Sequence, residues 1–376
     1  MKSNKTNTLF EWHFWVKWAV PVLLVAAIQL LQLFPFWIEK TYSTNWYIQI
    51  SMVLRNITGW IPFSLGDVLY ILFGFSILVS MVRGIILTIK GQFSWARFAA
   101  AISTWVRGVM WIYIWFSILW GLNYSRLGIE HQLKLQQEEY CKEEVVALTN
   151  QLIIKVNDCR RQIKDTVLPQ PSVQMIYEGA EKNYQKIAGG FPFLTYQIPS
   201  VKSSLYSPLG NYFGFTGYYN PFTGEAQVRN DVPRVLIPYI VSHEMAHQLG
   251  YASESEANFV GYLSASSSSD VYFRYSVYLD MLDYAQGEEI KMFLLDRDIN
   301  GLKNVFKQNK ANLDSLVRKD RKEIREFFYK RKNKISPLVS NVYDQYLKMN
   351  KQLAGINSYN EIIGWLLAYQ KKQGKL

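Results

Sequence analysis

Three apolar runs dominate the first third of the chain, and amphipathic patterns fill the rest. Trp18 to Ile38 is 21 residues without a charge, long enough to cross a bilayer as a helix. Ile61 to Val82 is a second such run, with Asp67 near one end, and Gly108 to Tyr124 is a third. Trp and Tyr crowd the ends of these runs, as in the aromatic belts at a membrane surface. The place of Asp67 near a span end suits a solvated interfacial residue better than an intramembrane acid. A signal peptide is a poor match for the first run, which is long and lacks a small-residue cleavage site.

Past residue 125 the period changes. Glu138 to Lys164 and Ser172 to Ala188 read as amphipathic helices. Phe213 to Tyr219 is a β-prone run, Asn220-Pro-Phe-Thr-Gly224 a turn, and Glu225 to Arg229 a second strand, so 211–229 reads as a hairpin. Its exposed edge could pair with an extended peptide through main-chain hydrogen bonds. Pro238 suits the first turn of a helix and Gly250 its end, which predicts a helix over about 238–249. Glu254 to Ala265 predicts the next helix, and Val271–Gln286, Pro337–Leu353 and Tyr359–Gln373 predict three more. The chain thus divides into a membrane region, 1–125, with spans at about 18–38, 61–82 and 108–124, and one domain of catalytic size, 126–376. The expected fold class is α+β: three transmembrane helices, then a mostly helical, zincin-like domain with a small β-sheet.

The predicted helix at 238–249 carries the chemistry. His243-Glu244-Met245-Ala246-His247 is an HExxH segment. Two His at i and i+4 share one side of a helix, so both imidazoles reach one metal. Glu244 can sit beside a metal-bound water and take its proton, and Zn²⁺ lowers the pKa of such a water toward ~7. Ile240, Val241, Met245 and Leu249 surround these residues with apolar side chains, unlike a chance pair of surface histidines.

A catalytic zinc usually takes three protein ligands and leaves one position for water. With no third His nearby, a carboxylate is the candidate. Glu254 and Asn258 are spaced as in the ExxxD signature of gluzincin-type metallopeptidases, with Asn258 in place of the Asp that supports a ligand imidazole. Glu256 is the alternative ligand, although Ser253-x-x-Glu256 also matches a capping box, a structural assignment. A donor to the developing oxyanion is also needed, and Tyr218, Tyr219, Tyr343 and Tyr346 are the candidates.

Charge and cysteine add less. The net charge of +11 is concentrated partly in 303–334, where twelve Lys and Arg face four acids. In a membrane-tethered protein this predicts a solvated face or contact with anionic headgroups, and no nucleic-acid partner. Lys2, Lys5, Lys17, Arg83, Lys90, Arg97 and Arg107 outnumber Lys40, Arg55, Arg126 and Lys134 on the opposite side, which predicts an inside N-terminus and an extracytoplasmic C-terminal domain. Cys141 and Cys159 lie 18 residues apart on one predicted helix, roughly 27 Å by helical rise, and cannot pair.

Taken together, the spans, the hairpin GYYNPFTGEAQV, the block HEMAHQLG and the close-following SESEANF resemble a bacterial multi-pass membrane protein family catalogued as a domain of unknown function and found in Bacteroidetes and Firmicutes. The resemblance covers essentially the whole chain. It implies a gluzincin-like zinc metallopeptidase acting on peptide or protein substrates at the cell membrane, with one Zn²⁺ per chain, and it names no substrate. The alternative expectation is a catalytically inactive metal-binding sensor or scaffold.

Overall fold

The computed structural model describes residues 4–136, 138–349 and 361–374. It is mostly helical with one small sheet. Helix α1 spans Asn4–Leu31, and Pro35 then starts α2, Pro35–Thr58, at 94° to the apolar part of α1. Proline supplies no amide hydrogen and is favoured at a helix start, so the chain turns here instead of continuing the expected span to residue 38. The middle of α2, Ile38–Trp46, is wound as a π-helix.

Helices α3, Leu65–Ile89, and α4, Trp95–Leu119, are long and apolar enough to cross a membrane; α1 with α2 would add a third, broken span. Two sequence expectations are corrected here. The third helix begins at Trp95 and not at Gly108, because Arg97 and Arg107, expected in a loop, lie on it; Arg107 donates to Ser103 Oγ one turn back. Asp67 is fully buried and not solvated. It accepts from the Leu205 amide at 2.7 Å and from the Tyr218 hydroxyl. Ser64 caps α3, and the Glu225 carboxylate accepts from the Leu65 and Gly66 amides at 3.0 and 2.6 Å. A carboxylate at a helix N-terminus is favoured by the helix dipole, so the start of this apolar helix is tied to the sheet.

The sheet has strands β1 (Val201–Ser203), β2 (Gly217–Asn220) and β3 (Glu225–Val228) in the order β1-β3-β2, with β1 parallel and β2 antiparallel to β3. The expected hairpin is present, and β2 is an edge. The amphipathic helices form as α5, Lys142–Gln162, and α6, Val173–Ala188, the latter capped by Ser172. Cys141 and Cys159 are both free. The motif helix is α7, Ile237–Gln248, followed by α8, Glu254–Ser266. Gly250 turns the chain between them at φ +88°, a left-handed conformation that favours glycine. Then come α9 (Val271–Leu295), α10 (Ile299–Asn312), α11 (Ser315–Tyr329), α12 (Ser336–Met349) and α13 (Glu361–Gln373).

Helix α7 is buried on nearly all sides, as its weak amphipathicity demands. Val241, Met245 and Ala246 join Ile176 and Tyr184 of α6, Phe259 and Val260 of α8, and Met281 and Leu282 of α9 in one core. A second core lies beneath the end of α7. There Ile28, Tyr42, Tyr47, Ile114 and Trp120, all from before residue 126, pack with Tyr219 and Ala252.

Polar contacts reinforce that junction. The last carbonyls of a helix lack intrahelical donors. Those of His247 and Gln248 accept from Trp120 Nε1 at 3.2 Å, the Tyr47 hydroxyl at 3.3 and 3.1 Å, and Ser51 Oγ at 3.0 Å. Arg126 makes a two-pronged pair with Glu39 of α2 at 2.8 and 2.9 Å and donates to the Gly250 carbonyl at 3.0 Å. Both side chains of the pair are buried, so removing one leaves the other an uncompensated charge. Arg126→Ala is therefore expected to lower stability by about 3–5 kcal/mol. Thermal unfolding in detergent measures this, and an unchanged midpoint would show the pair to be idle.

Candidate metal centre

One helical turn separates His243 from His247, and their Nε2 atoms lie 3.1 Å apart. The Gly250 turn brings the first residue of α8 back over them. Glu254 Oε2 is 3.3 Å from His243 Nε2 and 3.8 Å from His247 Nε2. A tetrahedral zinc with ligands at ~2.0–2.1 Å would space them about 3.3 Å apart, so the three atoms suit one ion.

Hydrogen bonds orient the side chains of the cluster. Nδ1 of His247 is 2.7 Å from the Tyr251 carbonyl, which can only accept. In the neutral ring that bond fixes the proton on Nδ1 and leaves the Nε2 lone pair facing the cluster. Against the desolvation that burial imposes, hydrogen bonds from both imidazoles hold the Glu254 carboxyl well below its ordinary range. Against the same desolvation, Glu254 pushes His247 up to about 9. Glu254 is thus held ionised between the two imidazoles.

Glu244 stands beside the cluster but is not part of it. Its side chain is buried, and Oε2 has no hydrogen-bond partner among the described residues. Burial pushes its carboxyl up to about 7, against the pull of His243 and His247. The edge strand β2 passes directly over it: a Cβ at Gly217 would lie 2.5 Å from Glu244 Oε1, so only glycine allows this approach. The hairpin read from the sequence therefore lies against the motif helix.

Several expected residues take other partners. Glu256 lies away from the cluster and forms no capping box, since Ser253 makes no side-chain cap. It accepts instead from the Ile129 amide at 2.6 Å. The expected bond from a ligand imidazole to Asn258 is also not formed. The Tyr239 hydroxyl lies 3.2 Å from both the carbonyl and Oδ1 of Asn258, and the imidazole support comes from the Tyr251 carbonyl. The Tyr218 hydroxyl is held by Asp67 and Ser204, and that of Tyr219 lies 3.3 Å from the Tyr47 hydroxyl. Tyr343 and Tyr346 have side chains outside the described residues.

Other residues at the site escaped the sequence reading. Trp120 packs edge-on to His247 with ring centroids 6.0 Å apart. Gln248, the residue after the second His, donates to the Ser200 and Gly224 carbonyls and accepts from the Tyr196 hydroxyl, joining α7 to the sheet. Tyr284 lines the cavity beside Glu254; burial, with Asp280 and Glu254, raises its phenol, which stays a donor. Its spacing from Asp280, i and i+4 on α9, was the one available signal.

His243, Glu244, His247 and Glu254 all open onto a cavity of about 1580 Å³. Fold and site together define a mostly helical protein with apolar helices of membrane-spanning length and a two-histidine, one-glutamate cluster at the floor of a large cleft. The chain belongs to the family described as protein of unknown function DUF3810, whose model matches residues 42–367. That match reaches from α2 to α13. No curated protein and no solved structure matches the chain.

Proposed function

We propose that this protein is a membrane-anchored, zinc-dependent metalloendopeptidase with a zincin-like catalytic region. The observation that carries this reading is the Glu244 carboxylate. It is buried, has an oxygen without a partner among the described residues, and faces the cavity next to three potential ligand atoms. A metal site that served structure alone would have no use for it.

His243, His247 and Glu254 would hold the ion, and the Tyr251 carbonyl keeps the His247 ring in the ligating tautomer. When bound, zinc lowers the pKa of a water toward ~7 and polarises a carbonyl. Glu244 takes a proton from the attacking water and returns it to the leaving amine. The water oxygen bonds to the carbonyl carbon as the C–N bond breaks, and the proton ends on nitrogen. Edge strand β2 offers main-chain groups to an extended peptide beside Glu244. The test is hydrolysis of a casein-like substrate by the full chain in detergent. Activity lost on chelation and restored by zinc supports the reading; absent activity favours a sensor or scaffold, and activity indifferent to chelation overturns the metal-dependent mechanism.

The same reading places the protein in the cell membrane as a multi-pass protein with its site outside the cytoplasm, on the Lys and Arg distribution. A reporter fused after Leu376 is expected to be silent if it works only in the cytoplasm. A working cytoplasmic reporter would reverse the orientation.

A further inference from the structure

The cavity that holds Glu244 continues beyond the sheet. It runs down between the apolar helices, lined by Tyr70 of α3 on one side and by Val109, Ile112 and Tyr113 of α4 on the other. Val109 lies ten residues before the end of α4 at Leu119, about 15 Å along the helix axis. That is roughly half the ~30 Å hydrocarbon core of a bilayer.

The walls of this slot differ from each other. Helices α1 and α4 pack together, whereas 0 % of the apolar window of α3 is buried. The gap between α3 and the α1–α4 pair would therefore open sideways to lipid. Polar groups also line it. Gln29 Nε2 donates to the Tyr113 hydroxyl, and Gln32 lines the same space. Polar side chains in membrane segments face protein or water, not hydrocarbon, and here they could take up the peptide groups of an unwinding helix. At its far end the cleft is walled by Lys322, Arg325 and Lys332 around α11.

We propose that the substrate is itself membrane-anchored: a transmembrane segment of another protein enters the slot between α3 and α4, and its juxtamembrane peptide bond reaches Glu244. This rests on the peptidase reading above. A lipid chain would cover apolar helix faces anywhere and needs no passage to Glu244. An anchored polypeptide needs such a passage, together with an edge strand where it leaves the hydrocarbon, and both are present.

The test uses the full chain in lipid nanodiscs carrying Glu244→Gln, so that turnover stops. A photo-crosslinking amino acid is placed at Ile112, inside the slot, or at Ile102, on the same helix but outside the cavity. A third position, Tyr70, reports from the opposite wall. The probe is a synthetic peptide with a Leu/Ala transmembrane segment and a fluorescent extramembrane tail; the tail alone is the control. Light should attach the anchored probe at 112 and 70 on the order of tenfold more than at 102, with unlabelled probe competing. The enzyme with Glu244 intact should cleave the anchored probe on the order of tenfold faster than the tail, because anchoring raises its effective concentration. Equal attachment at 102 and 112, or attachment of lipid alone at 112, overturns the slot. Specific attachment without cleavage of any peptide by the wild type keeps the slot and overturns the peptidase reading. Equal cleavage of anchored and free tails, without attachment, does the reverse.

Discussion

Glu244→Gln is expected to cut peptide hydrolysis by ~10²–10⁴-fold while the protein keeps its metal and its fold. The carboxylate is beside the cluster and outside it, so its loss removes no ligand. Gln is nearly isosteric, which matters because β2 leaves no room at Gly217 for a larger group. A buried carboxyl raised to about 7 carries a desolvation penalty that the neutral amide avoids, so the variant should be at least as stable as the wild type. Activity assay, metal content and thermal unfolding on one preparation separate the three effects. A variant that hydrolyses peptide at the wild-type rate would take Glu244 out of the mechanism.

Glu254→Ala and Glu256→Ala should fail in different ways. Glu254 lies within reach of both imidazoles, so its removal leaves two of the three proposed ligands. The loss in metal affinity should exceed the ~10–100-fold that follows from removing an outer supporting group. Glu256 instead accepts the Ile129 amide, and its removal leaves a buried donor unpaired at a cost of about 1–3 kcal/mol. The expected result is a metal-poor but folded Glu254→Ala and a metal-bearing but less stable Glu256→Ala. The opposite pattern would make Glu256 the ligand.

The motif helix and its glycine turn were legible because each depends on local spacing, whereas the choice between Glu254 and Glu256 stayed open. Histidines at i and i+4 face one way on any helix, and Gly250 marks the end of this one. The hairpin was legible for the same reason. What lay beyond reading were pairings made at long range. Glu256 fits a local capping pattern, yet the chain around Ile129 offers it an amide more than a hundred residues earlier. Asp67 sits at the edge of an apolar run and reads as solvated until Leu205 and Tyr218 close over it. Residues 39–60 read as a loop between spans, although Tyr47 and Ser51 there satisfy the end of the motif helix. A helix that carries two arginines hides the start of α4 from a search for uncharged runs.

Residues before 126 form the floor on which His247 rests, and the family match spans them together with the cleft. Any test of the site therefore belongs on the full chain. The most direct one is elemental analysis of the purified wild-type protein, the baseline for the two glutamate variants. About one zinc per chain is the expected result. A protein that holds no zinc and takes up none when it is supplied would contradict the metal centre, and the peptidase with it.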